Sequence, residues 1–149
     1  MTTPLSDDTL AILFHQARTH NAWLDKPVSD HLLHQLYETM KYAPTSANSN
    51  PARIIFLRTP EAKQRLVPAL SPTNVDKTLK APVTAIVGYD LKFFEQIPKL
   101  FPNNPAMRDV FAKSAQVAEI TAFRCMSLVQ TLVRRPARIG ICGMEGILA

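Results

Sequence analysis

Apolar positions along the chain fall into helical and strand periods that alternate. Leu10, Leu13, Phe14 and Ala17 recur at helical spacing behind Ser6, which suits an N-cap, with Asp7 and Asp8 in the first turn. Ser29 opens a second helix by the same logic, with Leu32, Leu33, Leu36, Tyr37 and Met40 as its apolar stripe. Residues 53–57 form a short run of β-branched and aromatic side chains that reads as a buried strand. Thr59-Pro60-Glu61 starts a third helix, expected to run to about residue 70 with a bend at Pro68. Ser71-Pro72-Thr73-Asn74 reads as a polar turn, and residues 83–89 as the second strand. Pro98, Pro102 and Pro105 predict a loop over 97–106. A helical pattern resumes from 108 to about 133, with Val110, Phe111, Val117, Ile120, Phe123 and Leu128 among its apolar positions. Strands set among helices give an α/β or α+β core; α+β is taken as the fold class.

Composition narrows the class. A chain of 149 residues with 46% apolar and 19% charged content can bury a core and is not disordered. No apolar run approaches a bilayer span, and the acidic start is unlike a signal peptide, so a cytoplasmic location with no membrane partner is expected. Cys125 and Cys142 lack metal or redox spacing, and reduced thiols are the expectation in that compartment. His31 and His34 stand i, i+3 without a third ligand, so no metal is expected. The net charge of +5 is spread along the chain. Its one cluster (Arg124, Arg134, Arg135, Arg138) has no interleaved aromatics, which favours a solvated surface over a nucleic-acid face. Four glycines form no dinucleotide fingerprint and no P-loop.

The candidate chemistry lies between the second helix and the first strand. Tyr42-Ala43-Pro44-Thr45-Ser46-Ala47-Asn48-Ser49-Asn50-Pro51-Ala52-Arg53 is a loop of small hydroxyl and amide residues between two prolines. Each proline fixes its own φ and pushes the residue before it out of the helical region. Asn48 and Asn50 offer amide donors and acceptors, and Thr45, Ser46 and Ser49 offer hydroxyls. Such a set suits a planar heterocycle edged with carbonyls and ring nitrogens; an ordinary Asn/Ser/Pro connection has the same composition. Arg18 reads either as a guanidinium fork for a phosphate or as a cation at a helix C-terminus. Trp23 reads as an interface or core aromatic, and Lys77 either as a surface lysine or as a charge beside a ligand.

Taken with Arg18-Thr19-His20-Asn21-Ala22-Trp23, this loop resembles the nitroreductase family of flavoenzymes. The similar stretches are 17–28, 40–57, 70–89 and 119–124, with most likeness to the branch that contains malonic semialdehyde reductase of pyrimidine catabolism. The resemblance implies a three-layer α/β/α fold with a mixed sheet flanked by helices. It implies FMN as cofactor, NADPH or NADH as hydride donor, ping-pong transfer with no catalytic side chain, and a homodimer built on the long central helix. Arg18 and Thr19 would hold the FMN phosphate, with His20 and Asn21 beside it; many relatives carry a basic residue where Asn21 stands. Pro44, Ser46, Asn48 and Asn50 would line the ring, and Asn74 and Lys77 its pyrimidine end, where a lysine stabilises the charge of the reduced ring. The implied substrate is a small aldehyde, malonic semialdehyde, reduced to 3-hydroxypropionate.

A single domain over 1–149 is expected, with the resemblance covering about the first 124 residues. Residues 125–149 diverge. Arg134-Arg135-Pro136 sets a proline where helix should continue, at a cost of about 3 kcal/mol inside a helix. Gly146, in Met144-Glu145-Gly146, weakly echoes the family's Glu-Gly flavin contact. The expectation is a nitroreductase-like domain whose C-terminal part is missing. The alternative is a non-catalytic remnant that folds with, or pairs with, an intact relative.

Overall fold

The computed structural model describes residues 4–16, 18 and 21–134, with 13 and 127–134 as backbone only. Ser6 caps α1 (Asp7–Leu10) by accepting from the Thr9 amide, and the helix widens into a π-turn over Ala11–His15. Phe14, expected in the core, is exposed. Ser29 caps α2 (Asp30–Met40) by accepting from the Leu32 amide at 3.2 Å. Leu33 and Met40 are buried, whereas Leu32 and Tyr37 are exposed, so the inward stripe is narrower than the apolar pattern suggests. His31 and His34 are exposed, and no metal-binding cluster occurs among the described residues.

β1 (Ala52–Leu57) and β2 (Thr84–Tyr89) pair antiparallel, from Ala52 opposite Tyr89 to Leu57 opposite Thr84. Among the described residues these two strands make the sheet. β1 is half-buried rather than buried: Ala52, Ile54 and Phe56 turn inward, while Arg53 and Ile55 turn out and Ile55 is 60% exposed. The inward face packs on α2, with Met40 against Ala52 and Ile54, and Leu33 and Val83 against Phe56.

α3 (Pro60–Gln64) begins at its proline as expected, but ends before Pro68, which sits in a 3-10 turn over Val67–Ala69. Helix termination replaces the expected bend because Pro68 lacks the amide that a continuing helix needs. α4 (Pro72–Lys80) corrects a second expectation. The Ser71–Asn74 stretch is no free turn; Pro72 occupies the first helical position, where a missing amide costs nothing. Pro98 likewise lies in the first turn of α5 (Ile97–Leu100), behind a 3-10 turn over Phe93–Gln96, which confines the proline-rich loop to 101–106. The last helical pattern is broken: α6 (Met107–Ala112) stops, Ser114 accepts from the Val117 amide at 3.3 Å, and α7 runs over Ala115–Arg134. Phe93, Ile97, Phe111, Ala118 and Ala122 form the main core cluster, with Phe93 and Phe111 in edge contact at 5.1 Å. The class is α+β. No helix among the described residues is long and apolar enough to cross a membrane.

Candidate functional site

Between α2 and β1 the chain turns sharply on L-residues. Ala47, Asn48 and Asn50 have φ of 50°, 49° and 42°. Left-handed backbone costs an L-residue about 1–2 kcal/mol, least for asparagine, whose short amide bonds locally. Side-chain bonds hold the conformation. Asn50 Nδ2 donates to Asn48 Oδ1 at 2.9 Å and to Asn48 O at 3.1 Å, and Asn48 Nδ2 donates to Leu100 O at 2.8 Å. The Asn50 amide donates to Thr45 Oγ1 at 3.2 Å. Ala47, with no polar side chain of its own, packs on the Phe93 cluster. Outside the loop, Arg53 Nη1 donates to Asn50 O at 3.0 Å while Nη2 pairs with Asp90 Oδ2 at 2.7 Å. The Asp90 amide returns a bond to Pro51 O at 2.9 Å. Ser49 is buried, and its hydroxyl has no hydrogen-bond partner among the described residues. Pro44 and Ser46 are exposed, and the Asn50 Oδ1 acceptor is unused among the described residues.

A second group gathers on α4. Asn74 and Lys77 stand i, i+3 on one helix face. The Asn74 side chain is half-buried and makes no hydrogen bond among the described residues. Lys77 Nζ reaches Asn21 Oδ1 at 3.4 Å, and Lys77 O accepts the Trp23 indole N–H at 2.7 Å. Asp76, beside Lys77, pairs instead with Lys80, whose hydrogen bond holds the carboxyl below its ordinary range. Arg18 is exposed and donates to His15 O at 3.1 Å, a contact at the end of its helix. Thr19, His20 and Gly146 lie outside the described residues.

Thus the structure brings Asn48 to Asn50, and Asn21 to Lys77 with Asn74 on the same helix face. No hydrogen bond joins these two groups among the described residues. An open cleft of about 950 Å³ lies beside residues 21–28 and is bounded by Arg58, Thr59, Lys80 and Pro82; among the described residues it touches the predicted set only at Asn21. The sequence reading missed the Arg53–Asp90 brace and the tie from Trp23 to Lys77. Both contacts bridge residues far apart in the chain, so local pattern carried no signal beyond the lone tryptophan itself.

A family model described as "Nitroreductase family" matches residues 15–124. A Burkholderia lata protein named for NADH dehydrogenase/NAD(P)H nitroreductase activity is 56% identical over 126 residues, covering 85% of this chain. This chain spans 64% of that relative's length. Among solved structures, an Exiguobacterium sibiricum protein described as a nitroreductase in complex with FMN aligns with TM-score 0.78 at 20% identity, over 97% of this chain and 79% of its own. A Staphylococcus epidermidis protein described as an NAD(P)H:FMN oxidoreductase aligns with TM-score 0.69 at 13% identity, over 89% of this chain and 68% of its own. At these identities the structural likenesses speak for the fold.

Proposed function

The chain belongs to the nitroreductase family, and from that premise we propose that it is an FMN-dependent oxidoreductase supplied with hydride by NADPH or NADH. The observation that carries this reading is the braced loop at Ala47–Asn50, whose left-handed backbone is held from three sides. Strained, over-determined backbone of this kind is characteristic of ligand sites.

The residues present fit the group. The exposed Ser46 hydroxyl and the unused Asn50 acceptor suit the N–H and C=O rim of a flavin ring. Asn74 and Lys77 offer an unengaged amide and an ammonium whose bonded partner, Asn21, is neutral. Bound FMN would supply the hydride-carrying chemistry. The chain's own part is to bind, orient and stabilise charge. In this reading Ser46, Asn48 and Asn50 orient the ring from the loop side, and Pro44 shapes the entry to that loop. Asn74 and Lys77 take the pyrimidine end, and Arg18 with Thr19 takes the phosphate, beside His20 and Asn21. Gly146 is retained as a further contact on motif likeness alone. The substrate reading is a small aldehyde such as malonic semialdehyde, supported by the sequence motifs of that branch. A homodimer across α7 is supported by the exposed Val117, Ile120 and Phe123.

The test is the visible spectrum of purified protein incubated with FMN and freed of unbound flavin. A retained flavin band is expected, bleached anaerobically by NADPH or NADH and restored by malonic semialdehyde. Asn50→Ala should weaken FMN retention about tenfold, the worth of roughly one good hydrogen bond. A colourless wild-type protein would overturn the enzyme reading and leave a non-catalytic partner of an intact relative.

A further inference from the structure

We propose that Trp23 is a positioning residue for Lys77, and that its indole N–H thereby tunes the reduction potential of the flavin. The inference rests on the FMN reading above. Trp23 is the chain's single tryptophan and is half-buried. An indole N–H is a donor only, and here its partner is a backbone carbonyl 54 residues away, Lys77 O at 2.7 Å. That carbonyl already accepts the Ala81 amide at 3.1 Å, closing the last turn of α4, so the indole takes its second lone pair.

The consequence is geometric. Asn21 lies two residues before Trp23 on the same segment, and Asn21 Oδ1 is the acceptor for Lys77 Nζ. The indole bond therefore places the 21–23 segment against α4, which sets Asn21 Oδ1 within reach of the Lys77 ammonium. The carbonyls just beyond are held independently: the buried Lys63 ammonium donates to Leu79 O at 3.3 Å and to Ala81 O. Loss of the Trp23 bond would leave α4 closed by Ala81 and Lys63 and release only the 21–23 segment and the Lys77 side chain.

Lys77 is suited to being held in this way. No carboxylate pairs with it among the described residues, and its hydrogen-bond partner at 3.4 Å is a neutral amide. An ammonium with a long, uncharged partner keeps most of its field for an incoming negative charge. Released into solvent, the same ammonium would be screened by water. Reduction adds negative charge to a flavin, so the reduced form should lose more affinity than the oxidised form when Lys77 is released.

Trp23→Phe keeps the ring and removes the donor. The midpoint potential of bound FMN, measured by dye equilibration, should become more negative, with the preference for reduced over oxidised flavin falling about tenfold, or ~30 mV for a two-electron couple. Lys77→Met should give a larger negative shift. The double variant should match Lys77→Met alone, because both changes remove one interaction. Asn21→Leu cuts the same segment from Lys77 without touching the indole; it should reproduce the negative shift, and it decides the matter if Trp23→Phe does not fold. A wild-type protein that takes up no FMN overturns this inference together with the FMN reading. A wild type that binds FMN, with unchanged potential in the variants or additive shifts in the double variant, overturns the inference alone.

Discussion

Asn50 shows how much of the candidate site rests on single residues. Its φ of 42° requires a residue tolerant of left-handed backbone, and its amide closes the loop on Asn48. Asn50→Gly should keep the backbone and lose only the amide bonds, a cost of about 1 kcal/mol. Asn50→Val places a β-branched side chain in left-handed backbone and should cost about 2 kcal/mol or more. Urea unfolding of FMN-free protein checks the order; a valine variant as stable as the glycine variant would show that the loop relaxes out of this conformation. The sequence made the residue types of this loop legible, because hydroxyls and amides between two prolines are a local signal. It did not show where their bonds go. The Asn50 amide donates to Asn48 and the Asn48 amide to Leu100 O, because left-handed residues fold the loop onto itself, which leaves the Asn50 Oδ1 acceptor for a ligand. Ala47 carries no propensity for positive φ. Its conformation comes from packing on the Phe93 cluster, a tertiary fact.

At the scale of elements, proline position explains both what was legible and what was not. Thr59-Pro60 and Ser71-Pro72 are the same N-terminal signal, yet the polar residues after Pro72 carry the composition of a turn and mask the second helix start. Pro98 also starts a helix, because the first turn needs no amide from it. Caps, by contrast, were plain, since Ser6, Ser29 and Thr59 each accept from the amide three residues on. The α3 cap carries a pH consequence. The Glu61 carboxyl is held below its ordinary value first by its own backbone amide and then by the Thr59 hydroxyl. A carboxyl with a depressed native pKa stabilises the fold above its unfolded pKa, and that contribution fades as pH falls through the native value. Thr59→Ala should destabilise the protein by about 1 kcal/mol at neutral pH. It should also raise the Glu61 pKa only part of the way back, because the backbone bond remains. Carbon-detected NMR titration of Glu61 measures this directly; a pKa unchanged by Thr59→Ala would assign the whole depression to the backbone amide.

At the scale of the molecule, α7 has two apolar faces and the described residues cover one of them. Ala118, Ala122 and Cys125 turn inward and are buried. Val117, Ile120 and Phe123 remain 45%, 44% and 52% exposed, although Phe123 meets the Tyr89 ring edge-on at 6.3 Å. Periodicity shows Val117, Ile120 and Phe123 as apolar helix positions. It could not separate the face that meets this chain's own core from the face that meets another, since both obey the same 3.6-residue period. Ile55 and Val110 add further exposed apolar area. Isolated exposed side chains are ordinary, but a row on one helix marks an interface when it is continuous. Under the proposed homodimer, sedimentation velocity should show a dimer at micromolar concentration. Ile120→Glu should weaken it about a hundredfold or more, because a buried unpaired charge is among the costliest changes an interface can suffer. Circular dichroism should remain that of the wild type, since Ile120 is half-exposed in the monomer and its replacement opens no cavity there. A wild type that stays monomeric at every concentration would remove the second copy as the cover for this face. The proposed FMN chemistry would then have to be carried by a single chain, with Arg18, the loop from Pro44 to Asn50, and Asn21, Asn74 and Lys77 as its binding surface among the described residues.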